Sequence, residues 1–161
     1  MKPSQMTQGL RVAAILCCLS LAVCGALAGV KNMAVVVSAG SKLADVPLTD
    51  LTKLCKGTQK TWPDGKNFTL VMKDPDSADM HAVAQKLFGA VPGEAKATIA
   101  KLNESRLTVK IVDNDEDLLR TVGATPGAAG IIDVYAINSS VKVLRVDGKL
   151  PFDIGYALKG N

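Results

Sequence analysis

Phe68-Thr-Leu-Val-Met72 followed by Lys73-Asp-Pro-Asp-Ser-Ala-Asp-Met-His81 is the passage on which the fold turns. The first five residues are an apolar, β-prone run. From Met80 to Phe88 the apolar residues Met80, Val83, Ala84, Leu87 and Phe88 recur at three- and four-residue intervals, the spacing of one helix face. Pro75 and the Asp/Ser residues between them mark a tight turn. A strand handed through a short turn into a helix leaves the first amides of that helix without intrahelical partners. Such a junction suits a carboxylate, a phosphate or another anion. Ser77 stands at the natural N-cap position, and Lys73 places a cation just before the turn. The plainer alternative is that Asp76 and Ser77 only cap the helix.

The same alternation extends in both directions. Met33-Ala-Val-Val-Val37 is a continuous apolar, β-branched run and predicts a buried strand. Leu48, Leu51, Leu54 and Cys55 share a helical face opened by Pro47 and closed by Gly57. Cys55 on that face behaves as a small hydrophobe. Trp62 lies in a turn and is expected to cover an edge of the core. Downstream, a weaker helix runs from Pro92 to about Asn103, and a strand follows over 107–112. Asp113-Asn-Asp-Glu-Asp117 opens a further helix, where acidic residues suit the positive end of the dipole. That acidic run lacks the glycine and distal glutamate of a calcium loop, so no metal is expected. Thr125-Pro-Gly127 has the order of a type II turn, and 128–134 and 141–146 are strands, the first with a glycine suited to close backbone approach. The apolar tail 150–158 is expected to pack. Strands interleaved with helices predict an α/β lobe with a mainly parallel sheet covered on both faces.

The chain of 161 residues has 19 Lys and Arg against 15 Asp and Glu. Lys2 and Arg11 precede an uncharged run from Val12 that ends in Ala26-Leu27-Ala28, the pattern of a secretory leader over residues 1–28. An uncleaved anchor helix is the alternative, and Leu21-Ala-Val-Cys24 resembles a lipoprotein box that would place a lipid on Cys24. Without Lys2 and Arg11 the remainder carries 17 basic and 15 acidic residues, which is no footprint for nucleic acid. Residues 29–161 suffice for one domain. Only Cys55 lies beyond the leader, so no internal disulfide forms. Asn67, Asn103 and Asn138 each begin an Asn-x-Ser/Thr triplet, a short pattern expected by chance.

Three blocks together resemble the phosphate-binding, periplasmic-binding-protein-like family of bacterial ABC phosphate uptake. They are the leucine-rich helix through Trp62-Pro-Asp-Gly65, the strand and helix from Lys73 to Gly89, and Thr125-Pro-Gly-Ala-Ala-Gly-Ile131. The resemblance implies half of a type II periplasmic binding protein. It also implies a periplasmic or secreted, non-enzymatic solute-binding-like protein that needs no cofactor and serves an ABC permease. Phosphate or another small oxyanion would sit at Lys73, Ser77, Ala78 and Asp79, matching by position the family's basic residue and its Ser-Gly-Thr helix start. Asp79 departs from that pattern by placing a carboxylate where a hydroxyl donor is expected, and Lys73 replaces an arginine. The alternative function is an envelope protein–protein interaction module that keeps the lobe and binds no ligand. The single histidine, His81, and the lack of a nucleophile or metal motif argue against an enzyme.

Overall fold

The computed structural model describes residues 31–159 apart from Leu107, so the leader and Cys24 lie outside the described residues. Six strands form one sheet: β1 (Met33–Ser38), β2 (Asp45–Val46), β3 (Thr69–Met72), β4 (Val109–Ile111), β5 (Ala128–Asp133) and β6 (Val141–Val146). Their order across the sheet is β2-β6-β1-β5-β3-β4. β2 runs parallel to β6, and β3 runs parallel to both β4 and β5. β1 is antiparallel to its two neighbours, β5 and β6. Five strands therefore point one way and β1 alone points the other. The sheet is mixed and mostly parallel, as expected, and the reversed strand is the one the sequence does not disclose.

Four helices cover it: α1 (Leu48–Cys55), α2 (His81–Phe88), α3 (Ala95–Asn103) and α4 (Asp115–Ala124). Val35, Val37, Leu70, Met72 and Ile131 point to the face packed by α1, α2 and α3. Ala34, Val36, Val71 and Ile132 point to the opposite face, packed by Leu118, Leu119 and Val122 of α4. This alternation is the two-residue period of a strand buried on both sides. Cys55 is fully buried, and burial pushes its thiol pKa up, away from the reactive thiolate.

Two glycines permit the close packing. A Cβ at Gly130 would fall 2.7 Å from Leu118 Cδ2, so the bare backbone lets α4 settle on the sheet. Gly127 has φ +81°, and the Ala128 amide bonds the Thr125 carbonyl at 3.1 Å, closing the expected turn. The Gly127 carbonyl accepts from Trp62 Nε1 at 2.8 Å. Trp62 is buried and meets Phe68 edge to face, with ring centroids 5.2 Å apart. It is core, not merely a cover for its edge.

The edge strand β4 is shielded by one side chain. Asn103 Nδ2 donates to the Val109 carbonyl at 2.7 Å, while its Oδ1 accepts from the Thr108 and Val109 amides at 2.9 and 3.0 Å. An amide side chain thus occupies backbone groups that would otherwise be free to pair with another strand. The tail follows expectation only in part. Tyr156 and Leu158 are buried, but Phe152 and Ile154 stand in solvent.

Two stability outcomes follow from these contacts. Gly127→Ala should cost at least about 2 kcal/mol in urea denaturation, since the left-handed φ strains an L-residue and the new Cβ would lie 2.2 Å from the Asn67 carbonyl oxygen. Asn103→Ala should cost about 1–3 kcal/mol, because it strands partly buried backbone groups; unchanged stability would show that Asn103 does not guard the edge.

Candidate functional site

β3, β4, β5 and β6 share one direction, and each is followed or ended by an aspartate: Asp74, Asp113, Asp133 and Asp147. Parallel strand order therefore delivers carboxylates to one end of the sheet. An open cavity of about 470 Å3 lies at this end. Its walls carry Lys31, Lys73, Asp74, Ser77, Asp79, Asp113, Asp115, Asp133 and Tyr135 over a floor of Met33 and Met80. Crevices at the carboxyl ends of strands are where open α/β sheets ordinarily bind ligands.

The turn after β3 contributes less than the sequence suggests. Ser77 takes the extended backbone of a helix cap, with φ −67° and ψ 149°, yet its hydroxyl makes no capping bond. A 3-10 turn over Ala78–Met80 comes between it and α2. Asp76 does cap a helix, but a different one: its Oδ1 accepts from the Ala95 amide at 2.9 Å, at the start of α3. Local spacing could not reveal this, because α3 begins 19 residues further on. Asp74 Oδ1 accepts from the Asp76 amide at 2.9 Å, and His81 Nε2 lies 2.9 Å from the Asp76 carbonyl, so the turn is tied to itself.

Of the four residues expected to form the site, Lys73, Ser77 and Asp79 line the cavity. Ala78 is exposed and does not. Neither lysine is free. Lys73 Nζ lies 2.7 Å from Asp115 Oδ1, an ion pair not aligned as a hydrogen bond. Lys31 Nζ meets Asp79 Oδ2 at 2.5 Å, and this hydrogen bond raises the lysine pKa above its ordinary value. Asp74 pairs with Lys96 at 3.0 Å. Asp113 and Asp133 have no cationic partner among the described residues, although Asp133 Oδ1 accepts from the Tyr135 amide at 3.0 Å. The lining thus holds five aspartates against two lysines, both already paired. No group of three or more His, Cys, Asp or Glu side chains among the described residues is arranged to hold a metal ion.

Asp115, Asp133, Lys31 and Tyr135 were not expected here. A signal for the carboxylates was present in the sequence, since four β runs each terminate in Asp, but its meaning depends on the strands sharing a direction. A smaller cavity of about 280 Å3, bordered by Ser38, Ser41, Lys66 and Gly127, opens at the opposite end of β1.

Solved structures that share this fold include proteins described as phosphate-transport or phosphate-binding proteins. An ABC-type phosphate transport receptor from Vibrio cholerae superposes with a TM-score of 0.62 at 16% identity, over 81% of this chain and 54% of its own. PstS from Borrelia burgdorferi gives 0.60 at 16% identity, over 82% and 55%. A putative phosphate ABC transporter substrate-binding protein from Clostridium perfringens, solved with bound phosphate, gives 0.57 at 17% identity, over 76% and 47%. The chain spans about half the length of these proteins and has the architecture of a single lobe of the periplasmic-binding-protein fold. No protein-family model and no curated protein matches it.

One pH dependence follows from the turn. The Asp76 amide, and then Lys96, hold the Asp74 carboxyl below the usual range. A lowered folded-state pKa contributes stability that is present above the unfolded value and lost as pH falls through the folded one. Asp74→Asn keeps the amide acceptor but removes the titration. It should flatten the loss of stability as pH falls below the ordinary aspartate range of about 4, measured by urea denaturation.

Proposed function

We propose that this protein is an exported, non-catalytic module that keeps the fold of a solute-binding lobe and uses the carboxyl-end face of its sheet to seat another protein, not free phosphate. The observation that carries this reading is the charge of the cavity: five aspartates against two lysines that already have partners. A helix end favours an anion by at most about 2 kcal/mol. One uncompensated carboxylate about 6 Å from a unit negative charge costs about 3 kcal/mol at an effective dielectric near 20. Asp113 and Asp133 together therefore outweigh the helix end.

Export is supported by the basic start, apolar run and Ala-x-Ala end of residues 1–28. The fold likeness to transport receptors supports a binding role without chemistry at the site.

Calorimetric titration of the full chain with inorganic phosphate at neutral pH tests the reading. The expected result is no saturable heat up to about 1 mM. Micromolar binding that disappears in Ser77→Ala would overturn it in favour of an oxyanion site at the turn. The double variant Asp113→Asn, Asp133→Asn should bind phosphate more readily than the native chain, if repulsion is what excludes it.

A further inference from the structure

Beside the mouth of the acidic cavity, large apolar side chains stand in water. Tyr135 is 84% exposed, Phe152 62% and Ile154 94%. Tyr135 lines the cavity itself, in the 3-10 turn directly after β5. Its ring centroid lies 6.2 Å from that of Phe152. Phe152 and Ile154 belong to a turn closed by Asp153 Oδ2, which accepts from the Leu150 amide at 2.7 Å, and anchored by buried Tyr156 and Leu158. The turn is thus held in place while its largest apolar groups face outward. Aromatic and aliphatic side chains displayed together in this way mark a docking surface.

Charge decides what fits there. A second copy presenting the same end would bring the uncompensated Asp113 and Asp133 against their own counterparts, an arrangement that like-charge repulsion opposes. The acidity is also local, because residues 29–161 carry an excess of basic groups as a whole. Lys31 and Lys73 are taken up by Asp79 and Asp115, and Lys149, on the Gly155 carbonyl at 3.3 Å, marks the basic border of the patch. Asp113 and Asp133 remain for an incoming cation.

We propose that this face binds a basic, apolar segment of another protein. A lysine or arginine side chain enters the cavity toward Asp113 and Asp133 beside the Tyr135 ring, and its apolar neighbours cover Phe152 and Ile154. Cation–π attraction and charge complementarity supply orientation, and apolar burial supplies most of the affinity. The inference rests on the docking role proposed above and adds the chemistry of the partner.

Fluorescence anisotropy with the full chain tests it, using a labelled octapeptide that alternates lysine with leucine and a counterpart with glutamate in place of lysine. The lysine peptide should bind saturably and the glutamate peptide should not. Binding should weaken about tenfold in Asp113→Asn with Asp133→Asn, in Tyr135→Ser with Phe152→Ser, and on raising salt from about 50 to about 500 mM. Asparagine at 133 retains the acceptor for the Tyr135 amide, and circular dichroism verifies that each variant is folded. Equal binding of the two peptides, or binding that neither variant weakens, would overturn the proposal. So would salt-independent self-association with no affinity for the lysine peptide, which leaves the docking role standing, whereas micromolar phosphate binding removes that role as well.

Discussion

β1 is bonded along both edges and buried on both faces, and it runs against the other five strands. Every larger feature of the molecule depends on that reversed strand. On one side it joins the parallel group β5-β3-β4, and on the other the parallel pair β6-β2. Because it alone is reversed, the carboxyl ends of the rest gather at one end of the sheet. The turns that follow those strands must share this end, and with them come the aspartates that terminate the runs. Close packing of α4 over Gly130 and the Trp62 bond to Gly127 hold the two faces on this frame.

The acidic residues divide by what they hold. Asp147 Oδ1 accepts from the Leu48 amide at 2.9 Å and starts α1 from the end of the adjacent strand, β6. Asp76 starts α3, and Asn114 starts α4 by accepting from the Asp117 amide. These groups satisfy helix amides that have no intrahelical partner. Asp79 and Asp115 neutralise the lysines at the cavity. Asp74 pairs with Lys96, so what remains at the cavity without a cation is Asp113 and Asp133, which give the strand-end face its sign. The fold is shared with phosphate-transport proteins, but the character of this face comes from those leftover carboxylates. Architecture and ligand chemistry are separable in this way because a site is a set of side chains placed on a fold.

Most elements were legible in the sequence. The strand at β1, the helical face of Leu51, Leu54 and Cys55, the Pro-Gly turn at 126–127 and the strand at 141–146 all appear where periodicity and turn chemistry place them. The start of α2 was less so, since a 3-10 turn and an unbonded Ser77 hydroxyl stand where an ordinary cap is expected. The apolar tail misled because its composition does not separate Tyr156 and Leu158, which enter the core, from Phe152 and Ile154, which do not.

The sequence by itself determined which residues alternate, where the chain turns and which apolar groups can make a core. These depend on backbone sterics and on neighbours within one or two turns. Only the tertiary structure decided the direction of β1, the helix that Asp76 caps and the partners of Lys31 and Lys73. Lys31 meets Asp79 across 48 residues of chain, and Trp62 meets Gly127 across 65. Whether the turn that carries Lys73 and Ser77 faces an anion or faces further carboxylates therefore depends on which distant strand ends are folded against it, and no local pattern records that.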